Sequence, residues 1–155
     1  MSTPENENVS SPEKILFRLK EDPNQEYPPV DIEGLWATPT RDGFRIDNVP
    51  FFVRGISNGD EVTANLKGDE LFFDRVIAYS GHSTVRVLFY ASDSRDELRK
   101  QLKVLGCSSE LSHIADLISV DIPPGVDYNK VVTVLAKGEK DGLWEYEEGA
   151  IAHTD

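Results

Sequence analysis

Histidine and cysteine, the side chains whose chemistry is most active near neutral pH, are few in the 155-residue chain: three histidines and one cysteine, widely spaced. His82 lies between Gly81 and Ser83, and Arg86 lies on the same face of the strand that we predict to follow. A histidine can act as a general base and an arginine can hold an anion, so His82 and Arg86 form one ligand-binding candidate. The structural alternative is that His82 hydrogen-bonds within its turn while Arg86 pairs with a carboxylate across the sheet.

A second candidate is the acidic and aromatic segment near the end of the chain, which we predict to be a strand that binds a protein. Aromatic side chains with a charged rim are typical of protein interfaces. The alternative is a solvated edge strand whose aromatic side chains lie in the core. The residues of this candidate are Trp144, Glu145, Tyr146, Glu147 and Glu148.

The sequence predicts no catalytic residue, no metal site and no cofactor. The histidines His82, His113 and His153 lie far apart, and His153 falls in a predicted terminal tail. Cys107 is the only cysteine and follows a helix stop, where we expect a small core residue. No pair of histidine or cysteine residues has ligand spacing, and no glycine-rich phosphate loop is present.

The charge balance limits the classes of partner. Lys and Arg number 16 and Asp and Glu number 28, which gives a net charge of -12. Phosphate backbones and acidic membrane surfaces are disfavoured, so we expect no nucleic acid and no membrane as partner. We expect a protein partner, and the charge favours a basic one. Because no apolar run is long enough to span a bilayer and no signal-peptide pattern is seen, we expect a cytoplasmic protein.

The first half of the chain predicts β-structure. Residues 1–13 are expected to be a disordered tail, and residues 14–80 a small all-β subdomain. Its five short strands include a hairpin at Asp42-Gly43. They predict a bent sheet or a partly open barrel.

The second half alternates strands with helical patterns. Residues 81–151 predict a ferredoxin-like βαββαβ subdomain with the strand from Ser83 in the sheet centre, so that the whole chain is α+β. Ser94 and Glu97 have the spacing of a capping box before a helix over 95–105. Asp127 is expected to cap a second helix, and Asp121 to face solvent from a strand. Residues 152–155 are expected to be a tail.

Several motifs along the chain resemble one family. They are Phe17-Arg18-Leu19, Tyr27-Pro28-Pro29-Val30-Asp31, Ile46-Asp47-Asn48-Val49-Pro50-Phe51-Phe52, Gly81-His82-Ser83-Thr84-Val85-Arg86-Val87, Leu105-Gly106-Cys107, Val120-Asp121-Ile122-Pro123-Pro124 and Trp144-Glu145-Tyr146-Glu147-Glu148-Gly149. Over about residues 14–151 the chain resembles a bacterial domain-of-unknown-function family, DUF 4265. The resemblance implies a bacterial protein often little larger than this domain, and it implies no activity.

Two functional hypotheses follow. The first is a non-catalytic protein-binding module, such as an immunity protein or an antitoxin against a basic effector. The alternative is a small-ligand-binding protein or an enzyme that uses the cleft between the two subdomains, with His82 and Arg86 at its mouth.

Overall fold

The chain folds into two compact units, which we describe from a computed structural model. The structure describes residues 11–19 and 28–153. The first unit comprises the described residues up to Asn48 together with Gly59–Tyr79. The second comprises Val49–Asn58 and the described residues from Ser80 onward. The predicted disorder of residues 1–10 and the predicted tail at 154 and 155 fall outside the described residues, whereas Glu13, at the end of the predicted disordered tail, already belongs to the first strand.

The first unit is a small barrel. Each strand pairs antiparallel with the next, and β1 also pairs in parallel with β5, so the order β1-β2-β3-β4-β5 closes. The closed barrel replaces the bent or partly open sheet of the sequence prediction. Its strands are β1 (Glu13–Arg18), β2 (Ile32–Pro39), β3 (Phe44–Ile46), β4 (Glu61–Lys67) and β5 (Glu70–Ala78).

Alternating apolar residues fill the barrel. Ile15 and Phe17 of β1 are buried, as are Leu35 and Ala37 of β2, because successive side chains of a strand point to opposite faces. The hairpin predicted at Asp42-Gly43 joins β2 to β3, which pair antiparallel. The sequence pattern therefore predicted this part of the first unit correctly.

The second unit is a four-stranded antiparallel sheet with two helices. Its strand order is β7-β8-β6-β9, which puts β6 and β8 in the centre, as predicted. The chain as a whole is thus α+β. The elements in chain order are β6 (Ser83–Phe89), α1 (Arg95–Val104), β7 (Ser108–Leu111), β8 (Leu117–Ile122), α2 (Tyr128–Lys140) and β9 (Trp144–Ala150).

Of the two helix N-terminal caps predicted from sequence, the one at Asp127 is confirmed and the one at Ser94 is not. Asp127 caps α2, since its Oδ1 accepts a hydrogen bond from the Asn129 amide at 3.0 Å. The capping box predicted at Ser94 is wrong. Ser94 already has helical dihedrals after a 3₁₀ turn at Ser92–Ser94, and its hydroxyl donates backwards to the Ala91 carbonyl at 3.0 Å.

The sheet of the second unit has two contrasting faces. We call the face that packs on α1 and α2 the helix face. It is apolar, and its buried residues form one core with those of the helices. They are Val85, Val87 and Phe89 of β6, Ile118, Val120 and Ile122 of β8, Leu98 and Leu102 of α1, and Val131 and Leu135 of α2.

We call the opposite face of the sheet the outer face. It carries Thr84 and Arg86 of β6 opposite Asp121 and Ser119 of β8, and all four are buried. Over residues 11–19 and 28–153, none of the helices is both long and apolar enough to cross a membrane.

Candidate functional site

Arg86 is buried in the outer face and holds another part of the chain. Its side chain is only 2% exposed. Nε donates to the Phe51 carbonyl at 2.7 Å, and Nη2 donates to the Val53 carbonyl. A Glu147 carboxylate oxygen lies 3.8 Å from Nε. These contacts match the structural alternative for Arg86, a carboxylate across the sheet, and add two backbone acceptors.

Residues 49–58, which we call the cover segment, lie over the outer face. The sequence analysis had placed them in the all-β subdomain, but their hydrogen bonds go to the second sheet. The Ser57 and Thr84 hydroxyls are 2.7 Å apart, and the Ser119 hydroxyl donates to the Val49 carbonyl at 3.1 Å. The Gly55 amide donates to the Gly149 carbonyl at 2.9 Å. Polar contacts, rather than strand pairing, therefore hold this apolar segment.

Gly149 makes room for the Arg86 guanidinium. The register of β6 with β9 shifts between Thr84, which faces Ala150, and Val85, which faces Glu148. Gly149 is therefore the extra residue of a β-bulge. A Cβ atom on Gly149 would lie 1.2 Å from Arg86 Nη1. The bulge and the buried arginine thus require a glycine at this position.

His82 lies beside Asp121, a partner that the sequence analysis did not foresee. The ring Nδ1 is 2.8 Å from Asp121 Oδ1, and the other carboxylate oxygen accepts from Asn58 of the cover segment at 3.4 Å. Asp121 is 5% exposed, so its predicted solvent-facing position is wrong. A buried carboxylate fixes the orientation of an imidazole. His82 and Asp121 therefore form a positioned pair at the end of the outer face.

His153 is anchored, although the sequence analysis placed it in a tail. Its Nε2 lies 2.8 Å from the Pro123 carbonyl and must donate, because a carbonyl only accepts. Its Nδ1 is 2.6 Å from the Ser83 hydroxyl, and its ring stacks on Tyr128 with centroids 5.3 Å apart. Ser83 is fully buried, so this serine–histidine pair ties down the chain and offers no accessible nucleophile.

A cavity of about 410 Å³ lies beside His153 within the second unit. Its wall combines apolar and polar side chains near the start of α2. No prediction from sequence pointed to it, because its residues come from three separate parts of the chain. The lining residues are Gly81, Pro124, Val126, Asp127, Tyr128, Asn129, Ala152 and His153.

Strand β9 lies at an edge of its sheet and carries the predicted protein-binding residues. Trp144 is 5% exposed, packs edge-on against Phe89, and donates from Nε1 to the Leu135 carbonyl at 2.9 Å. Trp144 is therefore a core residue and presents no ring to a partner. This placement agrees with the alternative of an edge strand with its aromatics inside.

The three glutamates of β9 divide between the two faces. Glu145 and Glu147 lie opposite Leu88 and Arg86 on the outer face, whereas Glu148 lies opposite Val85 on the helix face. Glu147 pairs with Arg54 of the cover segment at 3.0 Å. Glu145 and Glu148 are exposed. The glutamates therefore do not form the single acidic surface that the sequence predicts, because they lie on both faces of the sheet.

Tyrosines hold both exposed glutamates. The Tyr90 hydroxyl donates to Glu145 at 3.0 Å, and the Tyr128 hydroxyl donates to Glu148 at 2.5 Å. The bond to Glu145 raises the pKa of Tyr90, and burial followed by the bond to Glu148 raises that of Tyr128. Both phenols therefore stay neutral donors. Sequence reasoning missed them because only the strand register brings them to β9.

The remaining candidates offer no reactive group. Burial raises the pKa of the Cys107 thiol to about 11, so at neutral pH the thiol is protonated and inert. Among the residues that the structure describes, no three histidine, cysteine, aspartate or glutamate side chains come together as metal ligands.

Comparison with known proteins gives a family and a fold. No curated protein matches the chain. A crystal structure of a hypothetical protein from Neisseria gonorrhoeae is similar, with a TM-score of 0.74 and 19% identity, covering 94% of this chain and 98% of that one. At this identity the likeness shows the fold alone. The model of the family described as Domain of unknown function (DUF4265) matches residues 33–146, more than half of the chain. The resemblance seen in the sequence is confirmed, and the chain belongs to the DUF4265 family.

Proposed function

We propose that this chain is a non-catalytic protein-binding module whose recognition surface is the β9 edge. Its partner is a basic protein, and an immunity protein or antitoxin in a bacterial cytoplasm is the biological role that fits such a module. One observation carries the proposal. Two exposed carboxylates, those of Glu145 and Glu148, are held by tyrosine hydroxyls along an edge strand.

The tyrosine bonds favour recognition because they pre-orient the acceptors. A free glutamate loses rotamer entropy when it binds, whereas one already held in place loses less. Tyrosine is also enriched at protein interfaces, where it combines apolar area with a polar tip. Tyr90 is 63% exposed and therefore available to a partner.

The net charge of the chain indicates that the proposed partner is positively charged. The chain carries a net charge of -12, and such a field speeds the encounter with a cationic protein. Burial first, then Glu139 and Glu148, raise the pKa of Tyr146, so a further carboxylate acts on the same edge. Two of the residues predicted to bind a partner have structural roles instead: Trp144 packs in the core and Glu147 pairs with Arg54. Glu145, Tyr146 and Glu148 remain the proposed recognition residues.

We further infer that the second unit is a ferredoxin-like sandwich. The support is its element order βαββαβ together with the sheet order β7-β8-β6-β9. In this arrangement the last strand forms a sheet edge, which is where the proposed recognition surface lies.

The proposal is tested by affinity capture from a lysate of the host with matched charge reversals. The test variant is Glu145→Lys/Glu148→Lys. The control is Asp69→Lys/Glu70→Lys, which changes the net charge equally at exposed residues of the barrel. We expect a basic protein bound at low salt by the wild type and the control, and lost from the test variant. If both variants captured the basic protein equally well, the β9 edge would not be its binding surface.

A second candidate function is favoured by the cavity beside His153. Its volume of about 410 Å³ lies within the range of small-molecule sites, and Tyr128 and His153 supply aromatic surface. A fragment library screened by amide chemical shifts tests it. Saturable shifts at Gly81 and Asn129 would support small-molecule binding, and unchanged spectra would exclude this cavity. A ligand site at the predicted cleft between the subdomains stays a hypothesis.

A further inference from the structure

The hydrogen-bond phase of β9 determines which of its backbone groups are available. Residues of an antiparallel pair alternate between exchanging hydrogen bonds and turning their amides away. The Tyr90 amide donates to the Leu143 carbonyl at 3.1 Å, which fixes this phase. In the same register Glu145 and Glu147 turn their backbone groups toward β6.

The intervening residues of β9 turn their backbone groups away from β6. They are Trp144, Tyr146 and Glu148. Among the strands that the structure describes, β9 pairs with β6 alone. The outward backbone groups of these three residues therefore form a row of donors and acceptors of the kind to which an extended chain can add.

We propose that the β9 edge binds an extended segment rich in lysine or arginine as an added strand of the sheet. This proposal rests on the proposed function and specifies how the partner binds. Backbone hydrogen bonds to Tyr146 and Glu148 supply affinity, and the glutamates supply selectivity. Because Glu145 and Glu148 lie on opposite faces, an added strand meets one carboxylate on each face only if it carries cationic side chains at neighbouring positions.

The same charges explain why the occupant is basic rather than a second copy of β9. Glu145, Glu147 and Glu148 make three of its seven residues acidic. Like charges opposite each other on paired strands are destabilising, so β9 pairs poorly with itself. Opposite charges on paired strands stabilise, which selects a cationic strand.

The test uses the full chain and a synthetic peptide, acetyl-(Lys-Lys-Val)₃, which we call the Lys-Val peptide and which presents lysines on both faces when extended. Its control is acetyl-(Lys-Lys-Pro)₃, the Lys-Pro peptide, which has the same charge. Proline lacks the amide proton, and at every third residue it faces β9 in any register, so this peptide cannot add as a regular strand. Amide hydrogen exchange is measured with and without each peptide. We expect the Lys-Val peptide to slow exchange at Tyr146 and Glu148 by at least about tenfold, with the effect falling as salt rises.

The amides of Glu145 and Glu147 are internal references, because they face β6 in the free protein. Strand addition is overturned if the Lys-Val peptide binds without slowing Tyr146 and Glu148, if the Lys-Pro peptide slows them equally, or if neither peptide binds. In those cases a basic partner lost on reversal of Glu145 and Glu148 would still support the proposed function. The two proposals therefore fail separately.

Discussion

The two faces of the second sheet are closed by opposite means. On the helix face, α1 and α2 bury apolar side chains against Val85, Val87 and their neighbours. On the outer face, Thr84, Arg86 and Ser119 of the sheet hold the cover segment through hydrogen bonds, several of them to its backbone carbonyls. The first cover needs only matching apolar surface, whereas the second adds particular donors at particular positions to the burial of its own apolar side chains, Val49, Phe52, Val53 and Ile56.

This difference shows how a structural residue can imitate a functional one. An arginine in a sheet near a histidine indicates anion binding from sequence, yet Arg86 binds carbonyl groups of its own chain. The dipoles of those carbonyls take the place of a bound anion. If the two faces are closed in these different ways, substitutions on each face should lower stability for different reasons.

Removing Arg86 should destabilise the second unit most. In Arg86→Ala the carbonyls of Phe51 and Val53 lose their donor, and Glu147 loses a neighbouring cation. Losing two charge-assisted hydrogen bonds and leaving a void where a side chain was only 2% exposed costs about 3–5 kcal/mol in total. The measurement is the free energy of unfolding by urea. Arg54→Ala, which removes only an exposed partner of Glu147, should cost at most about 1 kcal/mol, and equal losses would refute the assigned role of Arg86.

Truncating the helix-face core should cost nearly as much for a different reason. Leu135 of α2 is fully buried, and Leu135→Ala should lower the free energy of unfolding by about 2–5 kcal/mol through lost apolar burial and a cavity. The control is Val104→Ala at a side chain that is 88% exposed, with an expected change within about 0.5 kcal/mol. A mild effect at Leu135 would mean that the helix does not close this face.

Gly149→Ala should disturb the outer face alone. The new Cβ would overlap the Arg86 guanidinium, which two carbonyls hold in place, and such overpacking costs about 1–3 kcal/mol. Gly125→Ala is the control, because no atom lies within 4 Å of its added Cβ. Both variants are compared by thermal unfolding. A Gly149→Ala protein as stable as its control would show that Arg86 can move freely.

The hydroxyl pair between Ser57 and Thr84 should contribute less than the arginine. Ser57→Ala removes one hydrogen bond and should cost about 1 kcal/mol. A double-mutant cycle with Thr84→Val isolates the pair, and we expect the two single losses to sum to more than the double loss. Strict additivity would show that the hydroxyls do not interact.

The titration of Tyr90, which is 63% exposed, should report its contact with Glu145. The hydrogen bond to Glu145 raises the pKa of Tyr90, so Glu145→Gln should let Tyr90 ionise at lower pH than in the wild type. Ring chemical shifts followed through an alkaline titration measure the change. Glu70→Gln on the barrel is the control. An unchanged Tyr90 titration in Glu145→Gln would contradict the observed contact.

The sequence was informative where structure depends on apolar periodicity and local turns. Alternation predicted β6 and β8, the Asp42-Gly43 turn predicted the β2–β3 hairpin, and Asp127 was predicted as a cap. The cover segment could not be predicted, because its bonds join residues far apart in the chain and have no period. Asp121 and His153 were misplaced for the same reason, since their partners are identified only by the tertiary fold.

The central claim is that both faces of the second sheet are closed while its β9 edge stays open from Trp144 to Glu148, before the Gly149 carbonyl that the cover segment occupies. Amide hydrogen exchange of the free protein tests this claim most directly. We expect slow exchange at Val85, Val87, Glu145 and Glu147, and fast exchange at Tyr146 and Glu148. Uniform protection along β9 would contradict the account, because the edge would then already be paired.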